Sequence, residues 1–181
     1  SFRENYGQFG VDNYYDNYGA NYRSPHEAKL KRALLQMLAK WKGALALGKV
    51  MDLACGSGEV ALVLKEWDAK QKQSSGGDGC ELELVGCDPY TYAAYEERLG
   101  CPALRHSFQD IADGVLYDEG EYDTIFCCYA MHLVEKDRLY ALCQALAQVA
   151  VYLVIVTPHK RPDIQESMGW ALEDELVLDK V

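Results

Sequence analysis

The chain has 181 residues, of which 49% are hydrophobic, and this suits one globular domain with a full core. Its formal net charge of −10 argues against a broad basic surface for nucleic acid or for an anionic membrane, although a small basic patch or a partner subunit could supply positive charge. No apolar run approaches the roughly 20 residues that a membrane-spanning helix needs, and no signal peptide is visible. We therefore expect a cytoplasmic protein, with the nucleus also open.

The first 23 residues are rich in aromatic side chains separated by Asn, Asp and Gly. Tyr14, Tyr18 and Tyr22 stand four residues apart, which would place them on one face of a helix. Two interpretations stay open: an aromatic lid packed on the core, or a cover over a cofactor or substrate. We expect the main domain to span residues 24–181.

Ser24-Pro25-His26-Glu27 predicts a helix start, with Ser24 as the cap and Glu27 completing a capping box. The apolar residues that follow repeat at helical spacing and predict a core-facing stripe. They are Leu30, Ala33, Leu34, Met37, Leu38 and Trp41. The basic residues between them predict a solvated face, with the rim of an anionic-substrate site as the alternative. These are Lys29, Lys31, Arg32 and Lys40.

Strands alternate with helices through the rest of the chain. The predicted strands are residues 50–53, 82–88, 103–108, 122–129 and 151–156, and the predicted helices are residues 58–67, 90–99 and 136–150. Residues 71–80 predict a flexible polar loop, and residues 170–181 a strand without a partner. This alternation predicts an α/β fold with a doubly wound, mostly parallel sheet and helices on both faces.

The cysteines favour a reducing compartment, because there are seven of them and none form a Cys-x-x-Cys pair. Several lie in apolar runs and predict small buried side chains rather than a zinc site. They are Cys55, Cys80, Cys87, Cys101, Cys127, Cys128 and Cys143.

The most informative segment is Asp52-Leu53-Ala54-Cys55-Gly56-Ser57-Gly58, which follows one predicted strand and opens a helix. Its small residues would let a ligand lie on the backbone, beside the free N–H groups of the helix start. No Lys follows Gly58, which excludes a phosphate-binding P-loop. A dinucleotide fingerprint would need glycine where Ala54 and Glu59 stand, so that motif fails too.

This segment resembles the first motif of the class I S-adenosylmethionine (SAM) dependent methyltransferases, usually Asp/Glu-x-Gly-x-Gly-x-Gly. Ala54 replaces the first glycine, and its small methyl group should do little harm. The resemblance implies a doubly wound domain whose C-terminal strand pair is incomplete here. It also implies that one set of residues binds the cofactor SAM: Asp52, Ala54, Cys55, Gly56, Ser57 and Gly58.

The next strand ends supply further candidates, because ligands of open α/β sheets bind beyond the carboxyl ends of the strands. Asp88, followed by Pro89, could accept hydrogen bonds from the ribose hydroxyls; a surface Asp before Pro is the alternative. In the methyltransferase family an acidic or amide side chain after the third strand binds the adenine amino group and its neighbour packs on the ring. Asp110 and Ile111 match that pattern.

The fourth strand ends in Cys128-Tyr129-Ala130-Met131-His132-Leu133, which resembles the motif that lines the methionine part of SAM. Tyr129 and Tyr22 are candidate aromatic faces for the sulfonium cation. His132 is a candidate general base, and its alternative is a structural role at the next helix.

Two groups of basic residues stand near the expected site. His26 and Arg23 could reach the carboxylate of SAM or an anionic substrate, and both could equally be structural at a helix entry. The run Pro158-His159-Lys160-Arg161 follows the fifth strand, beside the expected substrate mouth.

The sequence thus predicts methyl transfer from SAM to an acceptor that is a small molecule or RNA. The region after the fourth strand lacks the Asp/Asn-Pro-Pro-Tyr/Phe run typical of enzymes that methylate base or glutamine amines. The alternative is a SAM-binding, catalytically silent partner subunit of another enzyme. A nucleotide-linked oxidoreductase is disfavoured by the failed fingerprint.

Overall fold

The computed structural model describes residues 19–76, 81–158 and 160–178. Five α-helices and five strands alternate along this part of the chain. The helices are α1 (Glu27–Trp41), α2 (Glu59–Ser75), α3 (Tyr92–Leu99), α4 (Phe108–Ala112) and α5 (Lys136–Ala147). The strands are β1 (Lys49–Leu53), β2 (Glu83–Cys87), β3 (Ala103–Leu104), β4 (Tyr122–Cys128) and β5 (Ala150–Val156).

The sheet has the order β3-β2-β1-β4-β5 with every pairing parallel, which confirms the predicted doubly wound α/β fold. The chain builds outward from β1 to β3 and then returns to the other side of β1 as β4. This reversal places a topological switch point between the carboxyl ends of β1 and β4, where open α/β sheets bind ligands.

The strands send alternate side chains to two apolar layers, as strands buried on both faces should. Val50 and Phe126 pack with α1 and α2 on one face. Met51 and Ile125 pack with α4 and α5 on the other. A smaller cluster around Tyr95 lies under the loop that follows β1.

The predicted apolar stripe of α1 is confirmed, since five of its members are buried and Trp41 packs against them. The predicted capping box is wrong. The helix begins at Glu27 with no side-chain cap. The Ser24 hydroxyl accepts from the His26 amide at 3.2 Å, the Ser24 N–H donates to Glu59, and the Glu27 carboxylate pairs with Arg98. The basic face of α1 is exposed as predicted, with Lys31 on Glu66 and Lys40 on Asp174.

The ends of two further elements differ from the prediction. Helix α2 continues to Ser75 and ends at a left-handed Gly76, so the polar loop starts later than residue 71; residues 77–80 lie outside the described residues. Strand β3 has two residues instead of six, because Ser107 caps a short helix at Phe108.

The C-terminal segment is not a strand between residues 170 and 178, contrary to the prediction. Its side chains anchor it instead: Trp170 donates to the Cys143 carbonyl at 2.8 Å, and Asp174 accepts from Trp41 at 2.8 Å. Because Trp170 packs with the α5 layer and Leu176 with the α1 layer, this segment reaches both faces of the sheet. None of the described helices is long and apolar enough to cross a membrane.

Candidate cofactor site

The loop after β1 bends through three residues in the left-handed region: Ala54 (φ +57°), Gly56 (φ +56°) and Gly58 (φ +86°). The amides of Ala54 and Cys55 both donate to the Cys87 carbonyl, at 2.8 and 3.3 Å, which ties the loop to the end of β2. A left-handed alanine costs about 1 kcal/mol. Ala54 therefore adopts the backbone conformation for which glycine is usually required.

Glycine is needed at positions 56 and 58 for space as well as conformation. A Cβ on Gly56 would lie 2.8 Å from Glu59 Oε2 and 3.0 Å from Tyr22 Cε1. A Cβ on Gly58 would lie 3.3 Å from Tyr95 and would overlap the Leu99 side chain. Helix α3 thus packs directly against the loop at Gly58, and Tyr22 packs against it at Gly56.

Asp52, on β1 beside the loop, is a fully buried carboxylate with 1% of its surface exposed. Its Oδ2 atom has no hydrogen-bond partner among the described residues. Burial raises the pKa of this carboxyl well above its ordinary value and the charge of Glu59 adds to the effect, while the Ala61 amide partly opposes it. A buried acceptor of this kind fits a ligand that brings its own hydrogen-bond donor or positive charge.

Asp88 follows β2 and is also buried, with 9% of its surface exposed, so it is not a surface Asp before Pro89. Its Oδ1 atom accepts from the Tyr90 and Thr91 amides at 2.8 and 2.9 Å. Burial raises its pKa, and the amides of Thr91, Tyr90 and Gly56 partly offset that rise. Asp88 therefore lies against the glycine loop, as the prediction of a shared site requires.

Glu59, which the sequence analysis did not assign to the site, occupies the start of α2. Its carboxylate accepts from the Ser57 amide at 3.0 Å, the Ser57 hydroxyl at 2.6 Å and the Ser24 amide at 3.0 Å. A carboxylate is favoured there by the free N–H groups and the helix dipole. In the sequence, an acidic residue directly after Gly-Ser-Gly could have indicated a role for Glu59. No local sequence pattern indicates that Arg98 lies beside it.

The end of the predicted lid lies on the loop. Gly19 lies so close to the Tyr90 carbonyl that a Cβ at this position would overlap it, and the Tyr22 ring lies against Gly56. Residues 19–22 therefore cross the carboxyl ends of β1 and β2. The remaining lid aromatics lie outside the described residues, so their role stays a prediction.

After β3, Asp110 is exposed, and its Oδ2 atom accepts from the amide and the hydroxyl of Ser107, both at 2.8 Å. These bonds lower its pKa. Ile111 has 1% of its surface exposed and packs in the core on the α5 side. Binding of an adenine amino group by Asp110 remains a prediction and would involve Oδ1.

After β4, Tyr129 adopts a left-handed conformation (φ +55°), with its amide donating to the Val156 carbonyl at 2.7 Å. Its ring stacks on His26, with centroids 4.8 Å apart and planes inclined by 15°. His132 lies half-buried on the short 3-10 turn Met131–Leu133. Cys128, the last residue of β4, directly precedes Tyr129. The stack joins the end of β4 to the start of α1, so His26 has a structural contact there.

The described cysteines are free, and burial raises the pKa of the Cys87 thiol to about 12 and that of Cys143 to about 11. They are small buried groups, as predicted, except that Cys101 and Cys128 are only half-buried. No cluster of metal-binding side chains occurs within residues 19–76, 81–158 and 160–178. Cys80 and His159 lie outside those ranges.

The sheet order and the glycine loop at its switch point define a class I SAM-dependent methyltransferase fold. Magnesium protoporphyrin IX methyltransferase from Synechocystis PCC 6803, solved with bound SAM, has this fold. It matches with a TM-score of 0.50 and 20% identity over 93% of this chain and 82% of that one. A cyclopropane-fatty-acyl-phospholipid synthase-like protein from Lactobacillus casei ATCC 334 matches with a TM-score of 0.50 and 13% identity, over 82% of this chain and 58% of that one.

The chain belongs to the family of the uncharacterized protein C17A5.05c of Schizosaccharomyces pombe (strain 972 / ATCC 24843). The two are 36% identical over 197 residues, covering 94% of this chain and 79% of the yeast protein. No family model matches the chain. It spans 46% of the length of a SAM-dependent methyltransferase from Clostridium acetobutylicum ATCC 824, at 17% identity over 69% of this chain and a TM-score of 0.48.

Proposed function

We propose that this protein binds SAM at the loop after β1 and transfers its methyl group to an acceptor that is a small molecule or RNA. The observation that carries the proposal is the pair of buried carboxylates, Asp52 and Asp88, at the carboxyl ends of adjacent strands. SAM is a cation at its sulfonium and ammonium groups and carries a ribose diol. The unpartnered Asp52 Oδ2 suits a cationic donor, and Asp88 suits the diol.

The same geometry disfavours a nucleotide phosphate. The Ser57 amide and hydroxyl, which could have held a phosphate at the start of α2, already donate to Glu59. Asp52 and Asp88 lie in the same crevice and, when ionised, would repel a pyrophosphate. This supports SAM over a dinucleotide.

Bound SAM supplies a methyl group on a sulfonium, and the protein's main contribution to transfer is orientation, worth up to roughly 7–11 kcal/mol. Asp88 and the loop would fix the nucleoside, while Tyr22 would exclude water from the loop. Where the acceptor must lose a proton, His132 at the end of β4 would accept it.

The test is calorimetry of the wild-type protein with S-adenosylhomocysteine and, separately, with NAD. We expect binding of the first and none of the second. Methyl-labelled SAM is then offered with small-molecule pools and with RNA, and labelled acceptor is sought. NAD binding without S-adenosylhomocysteine binding would refute the proposal; binding without transfer to either pool would support the partner-subunit alternative.

Asp52→Asn should change the pH dependence of both stability and binding. Because burial raises the folded-state pKa of Asp52, its ionisation makes the ligand-free protein less stable as pH rises from about 4 through the raised pKa. The variant should lose the part of this dependence that comes from Asp52 and gain about 1 kcal/mol at neutral pH. Conversely, wild-type affinity for S-adenosylhomocysteine should increase over the same rise in pH, because the ionised carboxylate attracts the ligand's ammonium group.

Urea unfolding and calorimetry between pH 4.5 and 8 measure the two effects of Asp52→Asn. Equal pH slopes for the variant and the wild type would show that Asp52 does not titrate in this site. Asp88 also has a raised pKa, so some slope should remain in the variant.

A further inference from the structure

Arg98, in the last turn of α3, connects three parts of the candidate site. Its Nη1 atom donates to the Ser57 hydroxyl at 3.2 Å, and its Nη2 atom donates to Glu27 Oε1 at 2.6 Å. Nη1 also lies 3.8 Å from Glu59 Oε1. One guanidinium thus contacts the loop after β1 (hereafter the cofactor loop), the start of α1 and the start of α2. Its planar array of donors suits such a bridging role.

Glu59 extends this network to the residues that cover the loop. The Oε1 atom that faces Arg98 also accepts the Ser24 amide, and Oε2 accepts the Ser57 amide. We name residues 19–24 the covering segment, because Tyr22 lies on Gly56 within it. The covering segment and the loop are therefore joined through one carboxylate, which is 5% exposed.

The charges indicate that the network acts as a unit. Arg98 is 25% exposed and faces two carboxylates, Glu27 and Glu59. Among the described residues, Arg98 is the cation that lies within 4 Å of the Glu59 carboxylate. Removing its charge would leave Glu59 buried without that partner, which is more costly than breaking an exposed ion pair. The pair Lys40–Asp174, at the far end of α1, is such an exposed pair, with side chains 42% and 47% exposed.

We propose that Arg98 is a positioning residue that, through Glu59 and Glu27, holds the covering segment closed over the cofactor loop and so slows release of the bound nucleoside. Arg98 itself need not touch the cofactor, and the proposal rests on SAM binding as proposed above. Opening requires the Ser24 amide to leave Glu59, and the Arg98 contacts keep that carboxylate in place. Residues 19–24 then move away from Gly56 and expose the loop.

Two rates test the proposal, one with ligand and one without. The first is dissociation of S-adenosylhomocysteine, followed by stopped-flow displacement. The second is trypsin cleavage after the exposed Arg23 in the ligand-free protein, which requires the covering segment to open. Arg98→Ala should raise both rates about tenfold, the size expected for one lost charge-assisted hydrogen bond.

Arg98→Lys should fall between Arg98→Ala and the wild type, because an ammonium group keeps the charge without bridging both carboxylates. Glu27→Ala removes one anchor and leaves Glu59 in place, so it should raise both rates about threefold and serves if Arg98→Ala does not fold. Lys40→Ala, which breaks the exposed pair with Asp174, is the matched control and should leave both rates unchanged. A merely structural role would lower the melting temperature of Arg98→Ala without changing either rate.

The proposal is overturned if folded Arg98→Ala and Glu27→Ala proteins release the ligand and are cleaved after Arg23 at wild-type rates. Failure of the wild-type protein to bind S-adenosylhomocysteine would instead refute the proposed function. In that case the cleavage rates would still decide whether Arg98 holds the covering segment.

Discussion

Asp88→Asn should weaken S-adenosylhomocysteine binding about 30- to 100-fold, the largest effect on affinity that we expect from a single substitution. The carboxylate would accept hydrogen bonds from two ribose hydroxyls, and each bond to a charged group contributes about 1.5–3 kcal/mol. The asparagine oxygen can still accept from the Tyr90 and Thr91 amides, which now donate to Oδ1 at 2.8 and 2.9 Å. The local turn should therefore persist, and calorimetry should report loss of binding in a folded protein.

Asp123→Asn is the matched control for this substitution. Asp123 also accepts a backbone amide, that of Lys49 at 2.8 Å, but it lies near the amino end of β4, at the opposite edge of the sheet. The Asp123→Asn protein loses the same charge and keeps the same kind of hydrogen bond. Its affinity for S-adenosylhomocysteine should therefore stay within twofold of the wild type. If both variants bind like the wild type, the ribose is not held by Asp88.

Gly86→Ala should destabilise the protein by about 3 kcal/mol, the largest stability loss that we expect. Gly86 lies on β2 opposite Asp52, and a Cβ there would stand 2.5 to 2.7 Å from three ring atoms of Tyr95. Tyr95 is 0% exposed and packs with Cys55 under the glycine loop, so its ring cannot move aside without disturbing the site. Urea unfolding followed by circular dichroism measures the loss.

Gly43→Ala provides the comparison, because a Cβ there would meet nothing within 4 Å. Its stability should stay within about 0.5 kcal/mol of the wild type. A Gly86→Ala protein as stable as the wild type would mean that Tyr95 does not pack against β2 as the structure describes.

The covering segment indicates where a search for the acceptor site should begin. Tyr22 lies on the loop, while His26 stacks on Tyr129 at the end of β4. The chain between Tyr22 and His26 therefore runs from the loop after β1 to the end of β4. Mapping of the acceptor should begin with these two aromatic contacts.

The sequence alone determined the α/β architecture and the part of the candidate cofactor site that follows β1 and β2. Apolar runs with strand and helix periodicity fix which segments enter the sheet, because burial on both faces leaves few alternatives. The small residues from Ala54 to Gly58 and the acid at Asp88 follow strands, and parallel strands bring their carboxyl ends to one edge. The loop, Asp52 and Asp88 could therefore be predicted to meet.

Only the tertiary structure decided how that edge is held and covered. Glu59 binds Ser24, 35 residues away, and Arg98 reaches Ser57 across 41 residues. Such contacts depend on how three helices pack, and no local pattern records that packing. The same reason explains the failed capping box of α1, whose Glu27 pairs with Arg98. It also explains the C-terminal segment, which Trp41 and Cys143 anchor outside the sheet. Local periodicity specifies elements, whereas long-range polar contacts between side chains are set by the packed fold.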